Sequence, residues 1–278
     1  MTQVTIRVGH SPDSDDAFMF YALAAGKLDT GPLRFEHVLQ DIQTLNAWAM
    51  EGRLEVTAIS AHAYAYVSDR YLLLPHGASM GEGYGPVVVS SRPMEPNQLC
   101  GVRIAVPGLL TSAYLALRLF QPDFREVVLP FDRIMEAVQE GQVDAGLLIH
   151  EGQITHTSLG LHKVIDLGVW WNERTGLPLP LGLNAIRRDL GPELIRRISS
   201  ALRDSIAYAL AHRDEALSYA LEFGRGLERP DADRFVSMYV NERTLDIGDD
   251  GREAVRLFLR MGAESGIVPP TAAVEFAD

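Results

Sequence analysis

A chain of 278 residues, 47% of them hydrophobic, has enough apolar side chain for one large core or two smaller ones, and that composition excludes a disordered chain. The formal net charge of -12 argues against nucleic acid, whose phosphates call for basic patches, and against anionic membrane surfaces. A single cysteine, Cys100, excludes an intrachain disulfide and gives no Cys/His zinc spacing.

The N-terminus has neither a basic segment nor a long apolar one, and no apolar run reaches the roughly 18 residues of a membrane span. A cytoplasmic location is therefore expected. The alternation in Val4–Val8 predicts a first strand, followed by a turn at Gly9–Pro12 and a helix from Ala17 to Ala24 that stops at Gly26. Leu33–Leu39 reads as a second strand, Ile42–Glu51 as a helix capped by Asp41 and closed by Gly52, and Val56–Ser60 as a third strand. A helix over Ala61–Val67 completes three strand–helix pairs, the pattern of a parallel sheet.

Two further strands, Tyr71–Leu74 and Pro86–Ser91, flank the glycine-rich segment 77–85. Its glycines lack the spacing of a dinucleotide fingerprint, so it is read as a loop over a cleft or a plain connection. Turn formers from Ser91 to Pro96 suggest a crossing into a second unit. That unit reads strand Val102–Val106, helix Ala113–Leu119, strand Glu126–Leu129, helix Phe131–Glu140 and strand Val143–Ile149. The segment 176–182, punctuated by Pro178 and Pro180, returns the chain, and the remainder is helical: Glu193–His212, Asp214–Phe223, Pro230–Val240 and Asp250–Ser265. The expected fold class is α/β, a two-lobe periplasmic-binding-protein-like (type II) fold with a ligand cleft between the lobes. Residues 1–91 and 182–278 form lobe I, and 92–181 form lobe II.

The run Val143–Ile149 stops abruptly at His150 and Glu151. Open α/β sheets place their ligands at the carboxyl ends of parallel strands, and an imidazole there can exchange a proton near neutral pH. Ser60 and Thr111–Ser112 are small hydroxyls at strand–helix junctions, where backbone N–H groups can meet a carboxylate. Plain helix capping is the competing reading of each. Asp13, Asp15 and Asp16 invite a magnesium or phosphoryl-transfer reading, but Ser11–Pro12 intervene after the strand, and capping or a hydrogen-bonding role in the cleft fits better. Trp170–Trp171 could stack on an aromatic ligand or fill core between lobes. No nucleophile-elbow motif accompanies His150, so it reads either as a lone general base or as a strand-end histidine that merely hydrogen-bonds a neighbouring carbonyl.

The run Ser11-Pro12-x-x-x-Asp16-x-Phe18, with Phe20–Leu23 after it, resembles the N-terminal signature of the 1,4-dihydroxy-6-naphthoate synthase family of the futalosine route to menaquinone. The likeness continues through Asp41–Leu54, Ala105–Gly108, Ala145–Glu151 and Trp170–Gly182. It weakens over the last helices. The resemblance implies a binding-protein-like fold and a carbon–carbon lyase that cleaves cyclic dehypoxanthine futalosine to 1,4-dihydroxy-6-naphthoate without cofactor or metal. It implies that His150 accepts the proton, that Ala58, Ile59, Ser60, Thr111 and Ser112 bind substrate, and that Ser11 and Asp16 join them as binding candidates. The family pattern Ser-Pro-Cys-Pro-Asn-Asp-Thr-Phe is broken here by Asp13, Ser14, Asp15 and Ala17, which adds carboxylates beside the cleft. The expected partner is a small-molecule carboxylate, with no nucleic acid, no membrane and the oligomeric state open. A solute-binding protein for a small carboxylic acid and a chorismate dehydratase of the same pathway are the alternatives.

Overall fold

Two twisted sheets, each covered by helices, face one another across a cleft; the computed structural model describes residues 3–224, 227–270 and 274–277, so the extreme ends of the first expected lobe lie outside it. The first sheet contains β1 (Val4–His10), β2 (Leu33–Leu39), β3 (Val56–Ser60), β4 (Tyr71–Leu73), β5 (Ser79–Gly81) and, late in the chain, Leu179–Arg187. β1 runs parallel to both β2 and β3, as the strand–helix alternation predicts. All five residues of β3 are buried, the signature of a strand covered on both faces.

The helices between them, α1 (Ser14–Ala24), α2 (Ile42–Glu51) and α3 (Ala61–Tyr64), start where the sequence offers caps. Asp13 accepts the Asp16 N–H at 3.2 Å and Asp41 accepts the Thr44 N–H at 3.0 Å, each satisfying an N–H that the helix leaves unpaired. Gly52 ends α2 in the left-handed conformation, φ 67°, which a glycine adopts without steric cost.

The second sheet is built from β6 (Val87–Ser90), β7 (Arg103–Val106), β8 (Arg125–Val128), β9 (Ala145–Leu148) and β10 (His162–Asp166), in the order β10-β6-β9-β7-β8. Its helices are α4 (Ser112–Phe120), α5 (Ile134–Gln139), α6 (Gly152–Thr155) and α7 (Leu167–Thr175). Two boundaries expected from sequence shift here. The strand assigned to the end of lobe I at residues 86–91 pairs with β9 and β10, so the first crossing comes before Val87 rather than after Ser91. The returning segment 176–182 is not merely a connector, because β11 (Leu179–Arg187) begins inside it and runs antiparallel to β3, β4 and β5. Pro180 is tolerated there because that stretch pairs only with the three-residue β5.

Helices α8 (Pro192–Ala211), α9 (Arg213–Ala220) and α10 (Arg229–Tyr239) pack about α1 through a core that includes Phe18, Phe20, Ile198, Leu202, Ile206 and Val236. After the short α11 (Glu242–Leu245), α12 (Gly248–Glu264) lies against β11, α3 and α4. Trp170 and Trp171 sit on α7, which the sequence reading did not assign. Trp171 is fully buried, donates to the Pro178 carbonyl at 3.0 Å and meets Phe258 edge-on, so of its two readings the structure carries core. Among the described residues no helix is long and apolar enough to cross a membrane.

Candidate active site

The carboxyl ends of β1, β3, β7 and β9 point toward one cavity of about 710 Å3, its open mouth included. This is the position the parallel strand–helix topology dictates for a ligand. Ser11, Asp13, Asp15 and Asp16 come from the turn after β1 and the start of α1; Ala58 and Ser60 from β3; Thr111 and Ser112 from the start of α4; His150 from the end of β9. Every sequence candidate but one lines it. Ile59 is wholly buried in the core on the opposite face of β3, as strand alternation requires with Ala58 and Ser60 facing the cavity. It supports the site by packing rather than by side-chain contact with a ligand.

Several lining residues escaped the sequence reading. Gly77 and Ser79 come from the glycine-rich segment, Leu181–Asn184 from β11, Gln153 from α6, and Phe235 and Tyr239 from α10. Only the glycine-rich segment carried a signal, as a possible loop over a cleft. Gly77 stands at φ 76° and a Cβ there would fall 1.9 Å from the Asn184 side-chain nitrogen, so this close approach requires glycine. Tyr239 donates to Gln153 Oε1 at 2.5 Å, tying α10 to α6 across the cavity.

Hydroxyls and amides make up one end. Asn46 Nδ2 donates to Ser60 Oγ at 2.9 Å, and Asn46 Oδ1 accepts the Ser60 N–H at 2.9 Å. Thr111 caps α4 by accepting the Tyr114 N–H at 3.2 Å, and Ser112 Oγ donates to the Leu181 carbonyl at 2.6 Å. Both hydroxyls are thus partly committed to structure, and the first-turn N–H groups of α4 are what an incoming carboxylate would meet beside them.

The other end is acidic, and among the described residues its lining includes no Lys or Arg. His150 Nδ1 lies 2.9 Å from Asp13 Oδ2, with the Asp13 side chain 2% exposed and the His150 side chain 16% exposed. Among the described residues His150 is the only non-glycine with positive φ, at 52°. That costs backbone strain of order 1–3 kcal/mol, the kind of outlier that clusters at functional sites. The turn sets its ring edge-on to Phe131, centroids 4.9 Å apart, and against Asp13. Burial acts to raise the Asp13 carboxyl, but the adjacent imidazole, together with Asp15 and the Asp16 N–H, outweighs it and holds the group below the usual carboxylate range. Burial and the neighbouring Asp13 charge push Asp15 and Asp16 well above that range. Asp16 Oδ2 accepts the Ser11 N–H at 2.7 Å, fixing the turn that carries Asp13.

Ligand atoms of Asp13, Asp15 and His150 lie within 4.8 Å of one another, the one such grouping among the described residues with the spacing a metal ion could use. A cation there would need Nδ1 stripped of its proton; as built, the Asp13–His150 contact has the length of a hydrogen bond.

The fold and site define a two-lobed, periplasmic-binding-protein-like α/β protein with a histidine held at the strand ends of its cleft. At the level of fold alone, the periplasmic aliphatic sulphonate binding protein SsuA of Escherichia coli superposes with a TM-score of 0.68 at 14% identity, covering 97% of this chain and 90% of that one. A family model described as menaquinone biosynthesis matches residues 6–264. A 1,4-dihydroxy-6-naphtoate synthase of Thermus thermophilus is 47% identical over 267 residues, 96% of this chain and 97% of that protein. One of Streptomyces coelicolor is 38% identical over 275 residues, 97% and 96% of the two chains. The crystal structure of AF1704 from Archaeoglobus fulgidus matches with a TM-score of 0.92 and 52% identity, over 95% of this chain and 98% of that one. The chain belongs to this menaquinone-biosynthesis family and is an enzyme of that pathway.

Proposed function

We propose that this enzyme is a carbon–carbon lyase that converts cyclic dehypoxanthine futalosine to 1,4-dihydroxy-6-naphthoate, with His150 as general base. The single observation that carries the reading is the placement of the His150 imidazole, held by a buried carboxylate at the mouth of β9, inside the cavity at the strand ends. The names of the relatives at 47% and 38% identity support the product. The substrate's carboxylate is placed at the hydroxyl end, against Ser60, Thr111, Ser112 and the first turn of α4. The acidic end, with Ser11 and Asp16, faces the part of the substrate from which the proton leaves. Lobe closure excludes water while His150 takes that proton.

The test is direct. The purified protein is incubated separately with cyclic dehypoxanthine futalosine and with chorismate, and the absorbance of each product is followed. Naphthoate from the first substrate alone supports the proposal. Turnover of chorismate instead would identify a dehydratase, and turnover of neither substrate would leave a binding protein.

A further inference from the structure

Asp13 makes one contact too many for a helix cap. Its Oδ1 accepts the Asp16 N–H at 3.2 Å, which is all that starting α1 requires. Its Oδ2 reaches instead across the cleft to His150 Nδ1, 2.9 Å away, joining the turn after β1 to the end of β9 and so the first sheet to the second. Both partners are held from behind. Asp13 is buried, with its backbone pinned by the cap and by the Ala17 N–H, which donates to its carbonyl at 3.1 Å. His150 is held by its left-handed backbone and the edge contact with Phe131.

A third group completes the chain. The Asp15 carboxyl is buried beside Asp13 and lines the same cavity. Burial, with the Asp13 and Asp16 charges nearby, pushes it well above the usual carboxylate range. Asp13, held below that range, stands between this carboxyl of its own lobe and the imidazole of the opposite lobe, 2.9 Å away. An ionised carboxylate against one ring nitrogen selects the tautomer with the proton on that nitrogen, and it steadies the imidazolium that forms when the ring takes a second proton.

We propose that Asp13 is the positioning residue of this enzyme: from the opposite lobe it accepts the His150 Nδ1–H, fixes the ring orientation and tautomer, and so assigns the base function to Nε2. The inference rests on the reading of His150 as base. It also ties the two lobes together, because the orienting carboxylate and the imidazole lie on different lobes.

The variant D13N separates this role from a structural one. Asparagine caps a helix as well as aspartate does, so a residue that only starts α1 would tolerate the change. A positioning residue would not, since the amide can turn its NH2 toward Nδ1 and favour the Nε2-protonated ring. D13N is expected to lose about 100-fold or more in kcat, with KM within about threefold of the parent. Nitrogen-15 NMR of the unsubstituted protein, with the His150 signals assigned through H150Q, is expected to show the Nδ1–H tautomer, and D13N the Nε2–H tautomer. Turnover by D13N within about threefold of the parent, or an Nε2–H ring in the unsubstituted protein, overturns the proposal. H150Q keeps the two readings apart. Turnover lost in H150Q but retained in D13N removes the positioning role alone, whereas turnover retained in H150Q removes the base and the positioning role together.

Discussion

Asn46 grips Ser60 twice, donating from Nδ2 to the hydroxyl and accepting the backbone N–H at Oδ1, both at 2.9 Å and both out of solvent. The same Nδ2 also approaches the Leu110 carbonyl at 3.4 Å, so one amide from α2 joins the end of β3 to the segment before α4. It therefore sets the spacing of the two hydroxyl junctions assigned to the substrate's carboxylate. N46A would leave the Ser60 N–H buried without its acceptor, at a cost of about 2–3 kcal/mol. Urea denaturation should show that loss, and KM should rise about tenfold, since about 1.4 kcal/mol of binding is worth that much. Unchanged KM would mean the Ser60 junction lies outside the binding determinants.

Ile59 tests the opposite assignment. It is fully buried on the core side of β3, and the cavity lining passes it by. I59V should lower stability by about 1 kcal/mol, the usual cost of one buried methylene, and leave KM at the parent value. A shift in KM without a loss of stability would return Ile59 to the binding site.

Much of this site was legible because strand ends announce themselves. The apolar runs ending at Ser60 and His150 give the strand, the junction and the polar residue in a single local pattern. The bounds of β2, α2 and β3 coincide with those expected, since caps and glycine stops are also local. The partnership of Asp13 with His150 was not legible, because an aspartate before a helix is sufficiently explained as a cap and its second contact comes from a distant part of the chain. Asn184, Gln153 and Tyr239 reach the cavity only through tertiary packing and carry no local pattern. The first crossing was misplaced for a related reason. Val87–Ser90 is equally apolar whichever sheet accepts it, and pairing with β9 and β10 decides.

Buried histidines give the protein a pH signature away from the cleft chemistry. Burial, reinforced by Arg203, pushes His76 down to about 4, and its Nε2 lies 2.8 Å from Ser199 Oγ. Its folded pKa is below its unfolded value, so between about pH 6.5 and 4 the unfolded chain takes up a proton that the folded chain refuses. Stability is fully present above that window and is lost as pH falls through it. H76Q, which keeps a partner for Ser199, should remove about 3 kcal/mol of this acid sensitivity. Parallel stability–pH curves for H76Q and the parent between pH 7 and 4 would contradict the assignment.

The acidic end predicts the reverse sign. Burial and its acidic neighbours hold Asp15 well above the ordinary range, so its folded pKa exceeds its unfolded value. Ionising it as pH rises penalises the folded state, by about 1.4 kcal/mol for each pKa unit of difference. D15N, whose amide can still donate to Asp13, should therefore unfold at a higher temperature than the parent at pH 8. The advantage should shrink as the solution is acidified through the folded pKa. A variant less stable than the parent at pH 8 would show that Asp15 is ionised and favourably held.

The claim on which all of this depends is that a proton passes to His150. The most direct measurement is kcat for H150A and the parent on cyclic dehypoxanthine futalosine, with thermal unfolding recorded on the same samples. The account predicts turnover reduced by about 100-fold to 10,000-fold in a variant that still unfolds cooperatively. Turnover within about threefold of the parent in a folded H150A variant would contradict it.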